Sequence, residues 1–263
     1  MTSSSTILMY HELELANRNL CDSENGYTRY VLQETDFHNQ ISYLSRQGFF
    51  GLNVSECLNF SNHPEKQVVL TFDDGCETDL IAAAPILKEY NFNATFYVVA
   101  GFLGKPGYLS KSQLQELSNS GFEIGSHSMT HRYLSDLTQK EEFDVEISQS
   151  KTHLEQIIGK NVDHFSCPGG RWSKMAAQIA EESGYISMAT SQIGTINSKS
   201  SRFSLARIPI MRSTTLENFD HICRGKGIVL RQARETVFSL AKSFLGNSLY
   251  EKVRSKLLSH SIQ

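Results

Sequence analysis

The chain has 263 residues, 40% of them hydrophobic and 20% charged, with a formal net charge of −3 at pH 7. That is the size of one α/β domain with a full core, and the charge excludes a nucleic-acid grip spread over the whole molecule. The five cysteines, Cys21, Cys57, Cys76, Cys167 and Cys223, are scattered and form no C-x-x-C, so they read as reduced thiols of a cytosolic-type compartment and not as a disulfide framework. The first eleven residues carry no basic n-region and only a short apolar run. Neither a secretory signal nor a membrane span is expected, and a cytoplasmic location follows.

In chain order, Ile7–Tyr10 reads as a short strand ending on His11 and Glu12, and residues 13–29 as a polar loop. Asp36 is expected to cap a helix that runs to Gln47 with Phe37, Ile41 and Leu44 on one face. A polar connection then precedes Val68-Val69-Leu70-Thr71-Phe72-Asp73-Asp74-Gly75, a buried strand that delivers two carboxylates to the C-terminal rim of a sheet before a glycine exit. Successive side chains alternate sides, so both acids cannot lie in one apolar face: one is free to bind a cation while its neighbour handles a proton. A helix near Leu80–Tyr90, strand Ala94–Val99, a Gly-rich loop through Gly101, Gly104 and Gly107, and a helix capped by Ser110 come next. Then follow strand Phe122–Ser126, a long helix from Thr138 to Ile158, strand Val162–Cys167, helix Lys174–Ser183 and strand Tyr185–Ala189.

This alternation implies a parallel sheet with helices outside, and the number of units suits a closed or nearly closed barrel over residues 1–220. Functional groups then belong at strand C-termini, where His11, Asp73, Asp74, His127 and Pro168-Gly169 fall. Residues 221–263 carry eight Lys or Arg against two acids and the apolar spacing of two amphipathic helices. They read as a basic helical tail, either packed across the barrel or in peripheral contact with an anionic membrane surface or a partner.

His127 and His131 are four apart, a spacing that on one helical turn aims two imidazoles at one metal. An H-x-x-x-H pair alone is weak evidence, but this one directly follows a strand on the rim that holds the Asp pair. Two His and one carboxylate leave coordination positions open for water and substrate, the layout of a catalytic and not a structural site.

Thr71-Phe72-Asp73-Asp74-Gly75 followed by His127-Ser128-Met129-Thr130-His131 resembles the polysaccharide deacetylase family (NodB homology, carbohydrate esterase family 4), over roughly residues 6–212. The resemblance implies a distorted (β/α) barrel and metal-dependent removal of N-acetyl groups from amino-sugar polymers, a hydrolysis of non-peptide carbon–nitrogen bonds. It implies Asp73 as general base, and Asp74, His127 and His131 as ligands of a divalent metal, commonly zinc. Phe165–Gly170 stands in the place of the family's third motif, with Ser166 where an Arg is usual and Gly169 where an aromatic is usual. The backbone N–H of Gly169 suits a developing oxyanion because that role needs no side chain. The missing Arg normally orients the base, and Arg171 or Arg207 is a candidate replacement from another direction.

The family's usual Leu-x-His segment near the C-terminal end is absent. Ile7–His11 is such a strand-to-His segment at the N-terminus, similar to the circularly permuted branch of exopolysaccharide adhesin deacetylases, so His11 is expected as general acid. Pro168, Arg171 and Trp172 are expected to contact an N-acetylated saccharide. Tyr108 and Tyr133 are further stacking candidates, and His153 and His164 are expected on the surface. The expected setting is synthesis of a bacterial surface polysaccharide. The rival readings are an inactive glycan-binding barrel and a small amide or imide hydrolase on the same scaffold.

Overall fold

A computed structural model describes residues 4–59 and 64–233. Ten short strands occur among them: β1 Thr6–Tyr10, β2 Leu13–Glu14, β3 Leu32–Gln33, β4 Phe50–Leu52, β5 Gln67–Phe72, β6 Thr95–Val98, β7 Glu123–Ser126, β8 His164–Ser166, β9 Ser187–Ala189 and β10 Ile208–Pro209. β2 and β3 pair only with each other, while the remaining eight form one sheet in the order β10-β1-β5-β6-β7-β8-β9. Every pairing in it is parallel. β4 pairs along Gln67–Val69 of β5, and β6 takes over further on at Thr71 and Phe72. β9 and β10 do not pair among the described residues, so the sheet is a half-barrel. The gap is spanned by a bridge from Ala189 to Leu205 and by the Thr190 N–H donating to Leu205 O.

Alternation along the strands decides what faces where. On the helix-facing side Tyr10, Phe72 and Phe96 occupy paired positions on β1, β5 and β6, with ring centroids 5.2 and 4.8 Å apart. Phe37, from the helix Glu34–Arg46, closes on Tyr10 edge-on at 5.2 Å. On the interior side Ile7, Val69, Tyr97, Ala189, Ile196 and Leu205 pack together. A Cβ at Gly125 would lie 2.4 Å from the Tyr97 ring, so β7 can approach that aromatic only with glycine there. Residues continuing the interior face past the strand ends arrive at the rim, which is how Asp73 comes to follow Val69 and Thr71 inward.

Several elements differ from expectation. The helix expected to start at Asp36 begins at Glu34, and Asp36 sits in its first turn. Residues 13–29 contain β2 and a helical turn at Asn25–Thr28, held because β2 finds β3. The long helix is interrupted by a π segment over Asp144–Gln149 between Lys140–Phe143 and Ser150–Ile158. The compact unit ends at Lys226. The boundary expected at residue 220 therefore falls inside the helix Leu216–Cys223, whose Phe219 and Ile222 are buried and whose Ile222 O accepts from Thr6 Oγ1 of β1. Of the basic tail, everything from residue 234 lies outside the described residues. No helix among the described residues is long and apolar enough to cross a membrane.

His164 is buried, contrary to expectation. Its Nε2 meets Ser55 Oγ at 2.8 Å and Glu123 Oε1 at 3.4 Å, and its Nδ1 meets Ser187 Oγ at 2.9 Å. Glu123 also accepts from the Val54 and Ser55 N–H groups at 3.1 and 3.2 Å, tying the helix Val54–Leu58 to the start of β7. Burial alone would raise the Glu123 carboxyl, but its bonds to His164, Ser55 and Thr95 hold it below its ordinary value. Glu123→Ala is expected to cost about 1–3 kcal/mol because these donors lose their acceptor. The cost should be read as a lower urea midpoint at unchanged slope. A depressed carboxyl stabilises fully above its ordinary value of 4.5 and loses that contribution as pH falls through the folded value, so the gap to wild type should narrow on acidification.

Candidate active site

The rim of the half-barrel gathers side chains from the ends of β1, β5, β7 and β8 and from the residue just before β10. Asp73 leaves β5 with its N–H donating to Tyr10 O at 3.0 Å, so its position is fixed by the end of β1. Arg207 is fully buried and grips it in bidentate fashion, Nη1 to Oδ1 and Nη2 to Oδ2, both at 2.7 Å. The guanidinium is itself anchored: Nε donates to Thr190 O at 2.9 Å, Nη2 to Ser166 Oγ at 2.8 Å, and the plane lies over Tyr97 at 5.5 Å. Ser166 Oγ donates in turn to Asp73 Oδ2 at 3.3 Å. Burial would raise the Asp73 carboxyl, yet Arg207, and after it His127, hold it well below the usual carboxylate range.

The Arg expected in the third motif is thus replaced from the opposite edge of the sheet, by Arg207 acting over the small Ser166. Arg171 does not reach Asp73: it lies over the Tyr133 ring at 3.9 Å and faces Asp136 at 3.6 Å.

Asp74 takes a left-handed backbone, φ 83°, and its carboxylate and that of Asp73 both face His127 Nε2, at 3.6 and 3.9 Å. Both acids are buried. The rim is lined by charge and imidazole and not by one apolar face, so each finds its own partners. Asp74 Oδ1 lies 3.6 Å from His127 Nε2 and 3.4 Å from His131 Nε2. The two imidazole centroids are 5.0 Å apart, and the three donor atoms lie within 4.8 Å of one another. His127 Nδ1 sits 2.9 Å from Ser166 O, an acceptor only, so Nδ1 carries the proton and Nε2 presents its lone pair to Asp74. Burial keeps both imidazoles neutral, His127 down to about 3 and His131 lowered as well, which is the form that binds a metal. Burial, with Asp73 adding to it, pushes the Asp74 carboxyl up to about 6. A carboxylate short of countercharge beside two neutral imidazoles is a donor set that fits a divalent cation.

His127 and His131 converge without the helical turn expected for them. They bracket an irregular loop in which Ser128 and His131 both have positive φ, 70° and 65°. Glu146, buried on the π segment, holds that loop by accepting from Met129 N, Thr130 N and Thr130 Oγ1. From the other side Ala100 N donates to Ser128 O and Gly101 N to Met129 O. Sequence reasoning missed Glu146, one of several acids on an amphipathic stretch.

His11 sits just past β1, tilted at 33° against Tyr30 with ring centroids 4.9 Å apart. It lies close enough to lower both Asp73 and Asp74 through its charge. Beyond β8, Pro168 is buried and Gly169 is exposed with φ 59°. A Cβ at Gly169 would fall 2.6 Å from the Tyr133 ring, so glycine lets that aromatic close over the rim. Trp172 is half exposed, its Nε1 donating to Phe203 O at 2.7 Å, which fixes it against the segment that leads to Arg207. Tyr133 is also part exposed, and with Arg171 it forms one wall.

Residues 60–187 match the family described as polysaccharide deacetylase. The Bacillus subtilis (strain 168) protein YxkH is 26% identical over 208 residues, covering 78% of this chain and 70% of that protein. The poly-beta-1,6-N-acetyl-D-glucosamine N-deacetylase of Staphylococcus aureus (strain MSSA476) is 25% identical over 203 residues, 69% of this chain and 70% of that one. Among solved structures, the Streptococcus pyogenes deacetylase PplD in complex with acetate superposes with a TM-score of 0.74 at 26% identity, covering 85% of this chain and 99% of that one. Residues 60–187 thus carry a polysaccharide deacetylase (NodB homology, carbohydrate esterase family 4) domain.

Two consequences are measurable. Arg207→Ala leaves Asp73 as an uncompensated buried charge and is expected to lower stability by about 3–5 kcal/mol in urea unfolding. Arg207→Lys keeps the charge but not the fork, and should recover part of that loss. Glu146→Ala frees the loop between the two histidines, and a divalent cation taken up by Asp74, His127 and His131 should then bind about 10–100-fold more weakly in competition with a chromophoric chelator.

Proposed function

We propose that the protein removes N-acetyl groups from an amino-sugar glycan or its precursor, releasing acetate and a free amine, in the making of a bacterial surface polysaccharide. The observation that carries this reading is the bidentate Arg207–Asp73 pair set beside the Asp74, His127 and His131 cluster. It keeps one carboxylate ionised and oriented while the other faces two neutral imidazoles. An inactive glycan-binding barrel would have no need of so costly a buried charge next to three metal-competent donors.

Asp74, His127 and His131 would hold a divalent metal, with zinc favoured by the nitrogen donors. When bound, such a metal supplies a Lewis acid that polarises the acetamide carbonyl and acidifies the attacking water. Asp73, fixed by Arg207 and Ser166, accepts that water's proton as the carbon–oxygen bond forms. The Gly169 N–H is assigned to the oxygen on which charge develops. His11 protonates the nitrogen as the carbon–nitrogen bond breaks, so base and acid stand on neighbouring strands β5 and β1. In this reading β1 takes the place of a C-terminal strand, as in a circularly permuted barrel. Pro168, Arg171, Trp172 and Tyr133 border the entrance, where an aromatic face and a guanidinium suit a pyranose ring and its hydroxyls.

The substrate class is assigned by likeness to the Staphylococcus aureus relative named above. The test is acetate release from β-1,6-linked N-acetylglucosamine oligomers and from lipid-linked N-acetylglucosamine, by zinc-reconstituted protein. Asp73→Asn and His11→Ala are each expected to lower kcat by about 10²–10⁴-fold, with the far-UV circular dichroism of wild type. Release from small acetamides but from no glycan would favour the small-amide reading. No release at all with zinc bound would remove the assignment.

A further inference from the structure

Glu12, next to His11, is buried at the centre of a polar cluster that the proposed chemistry does not use. Its Oε1 pairs with Arg18, its Oε2 accepts from Tyr27 Oη at 2.9 Å, and both oxygens receive the Cys21 N–H. Cys21 and Cys76 stand in the same cluster with their sulfurs 3.4 Å apart. The Cys21 thiol faces Gly107 O at 3.1 Å, and the Tyr27 hydroxyl lies 3.4 Å from Cys76 Sγ. A Cβ at Gly107 would come within 2.9 Å of Cys21 Sγ, so glycine there gives the thiol its place.

Two thiols and a carboxylate at this range admit two uses, a metal or a disulfide. The Glu12 oxygens are already occupied by Arg18, Tyr27 and the Cys21 amide. The Arg18 guanidinium, with Nη2 3.8 Å from Cys21 Sγ, places a positive charge where a cation would go. That charge disfavours a metal there. Cys21 is half-buried and reachable, while Cys76 is enclosed behind it. The other cysteines, Cys57, Cys167 and Cys223, are buried in separate elements.

We propose that Cys21 and Cys76 form a redox-active dithiol that closes reversibly to an intramolecular disulfide when the protein meets hydrogen peroxide or a low-molecular-weight disulfide. With peroxide, the Cys21 sulfur attacks one oxygen, the O–O bond breaks, and the departing hydroxide takes up the thiol proton as water, leaving a sulfenic acid. The Cys76 sulfur then attacks Cys21 Sγ, the S–O bond breaks, and hydroxide leaves with the Cys76 proton as a second water. Two thiols lose two electrons and the peroxide gains them. With a disulfide such as oxidised glutathione, Cys21 forms the mixed disulfide and Cys76 displaces the second glutathione thiol. Bond formation brings the sulfurs from 3.4 Å to about 2.0 Å, a movement the Cys21 loop can make. Because Cys76 follows Asp74 by two residues, the bond would tie that loop to the turn carrying a proposed metal ligand.

The test exposes reduced, zinc-loaded full-length protein to hydrogen peroxide or oxidised glutathione, alkylates the remaining thiols and maps the peptides. The expected result is loss of two thiols per chain, a Cys21–Cys76 crosslinked peptide that dithiothreitol reverses, and alkylation of Cys57, Cys167 and Cys223 after unfolding. In Cys21→Ser, a near-isosteric change at a half-buried position, the crosslink should vanish and Cys76 stay reduced. Cys21 oxidised to sulfinate, or held as a glutathione adduct, with Cys76 free would overturn the proposal. So would a second zinc equivalent that shields both thiols until chelation, since that result defines a dithiolate metal site.

Discussion

One buried ion pair governs the geometry of this molecule. Arg207 enters from the strand at one edge of the sheet, crosses the interior above Tyr97, and closes on both oxygens of Asp73 with Ser166 and Thr190 completing its donors. A guanidinium and a carboxylate removed from water lose several kcal/mol of solvation each, so such a pair persists only where its geometry and its remaining hydrogen bonds are satisfied. Here they are, and the arrangement links β1, β5, β8 and the chain before β10 through one set of charged groups. The same contact that holds the half-barrel across its gap also holds the Asp73 carboxyl well below the usual carboxylate range, while its neighbour Asp74 is pushed up.

Beside it, the metal-competent cluster depends on backbone conformations that ordinary residues resist. Asp74, Ser128 and His131 are all left-handed non-glycine residues within a few ångströms of the cluster. Such conformations cost of order 1–3 kcal/mol each and survive where the surroundings dictate them. For the histidine loop those surroundings are Glu146 beneath and Ala100 and Gly101 beside, all donating or accepting through the loop backbone. Glu146 lies on the buried face of this interrupted helix together with Phe143, Ile147 and Ser150.

What could be read from the sequence and what could not divides along the range of the interactions. β1 and β5 are largely apolar runs that stop at an imidazole and a carboxylate, so their places and the rim they define are legible locally. Asp73, Asp74, His127, His131 and His11 do meet on that rim. Arg207 was one of two candidates, and nothing local distinguishes it from Arg171, because the choice is made by a strand pairing between the two ends of the domain. His164 was misassigned for the same reason: its partners Ser55, Glu123 and Ser187 lie far off in the chain. Glu146 carries no local signal at all, since an acid on an amphipathic helix is ordinarily solvated. The two histidines of the H-x-x-x-H spacing do converge on Asp74, but from a loop pinned from outside and not on a helical turn.

The placement of β1 between β5 and β10 has a bearing on how the chain comes to be folded during synthesis. Asp73 is made 134 residues before the arginine that neutralises it, and the first strand waits for Ile208 and Pro209 to complete its second edge. An emerging chain short of that point carries a carboxylate that cannot be buried without its counter-ion and a strand open on one side. Long-range pairing of this kind is slow to form and leaves edges exposed until it does. The sheet can therefore be completed at β1 only after residues 207–209 have been made, and a nascent chain stalled before Arg207 presents that edge for chaperones or for aggregation.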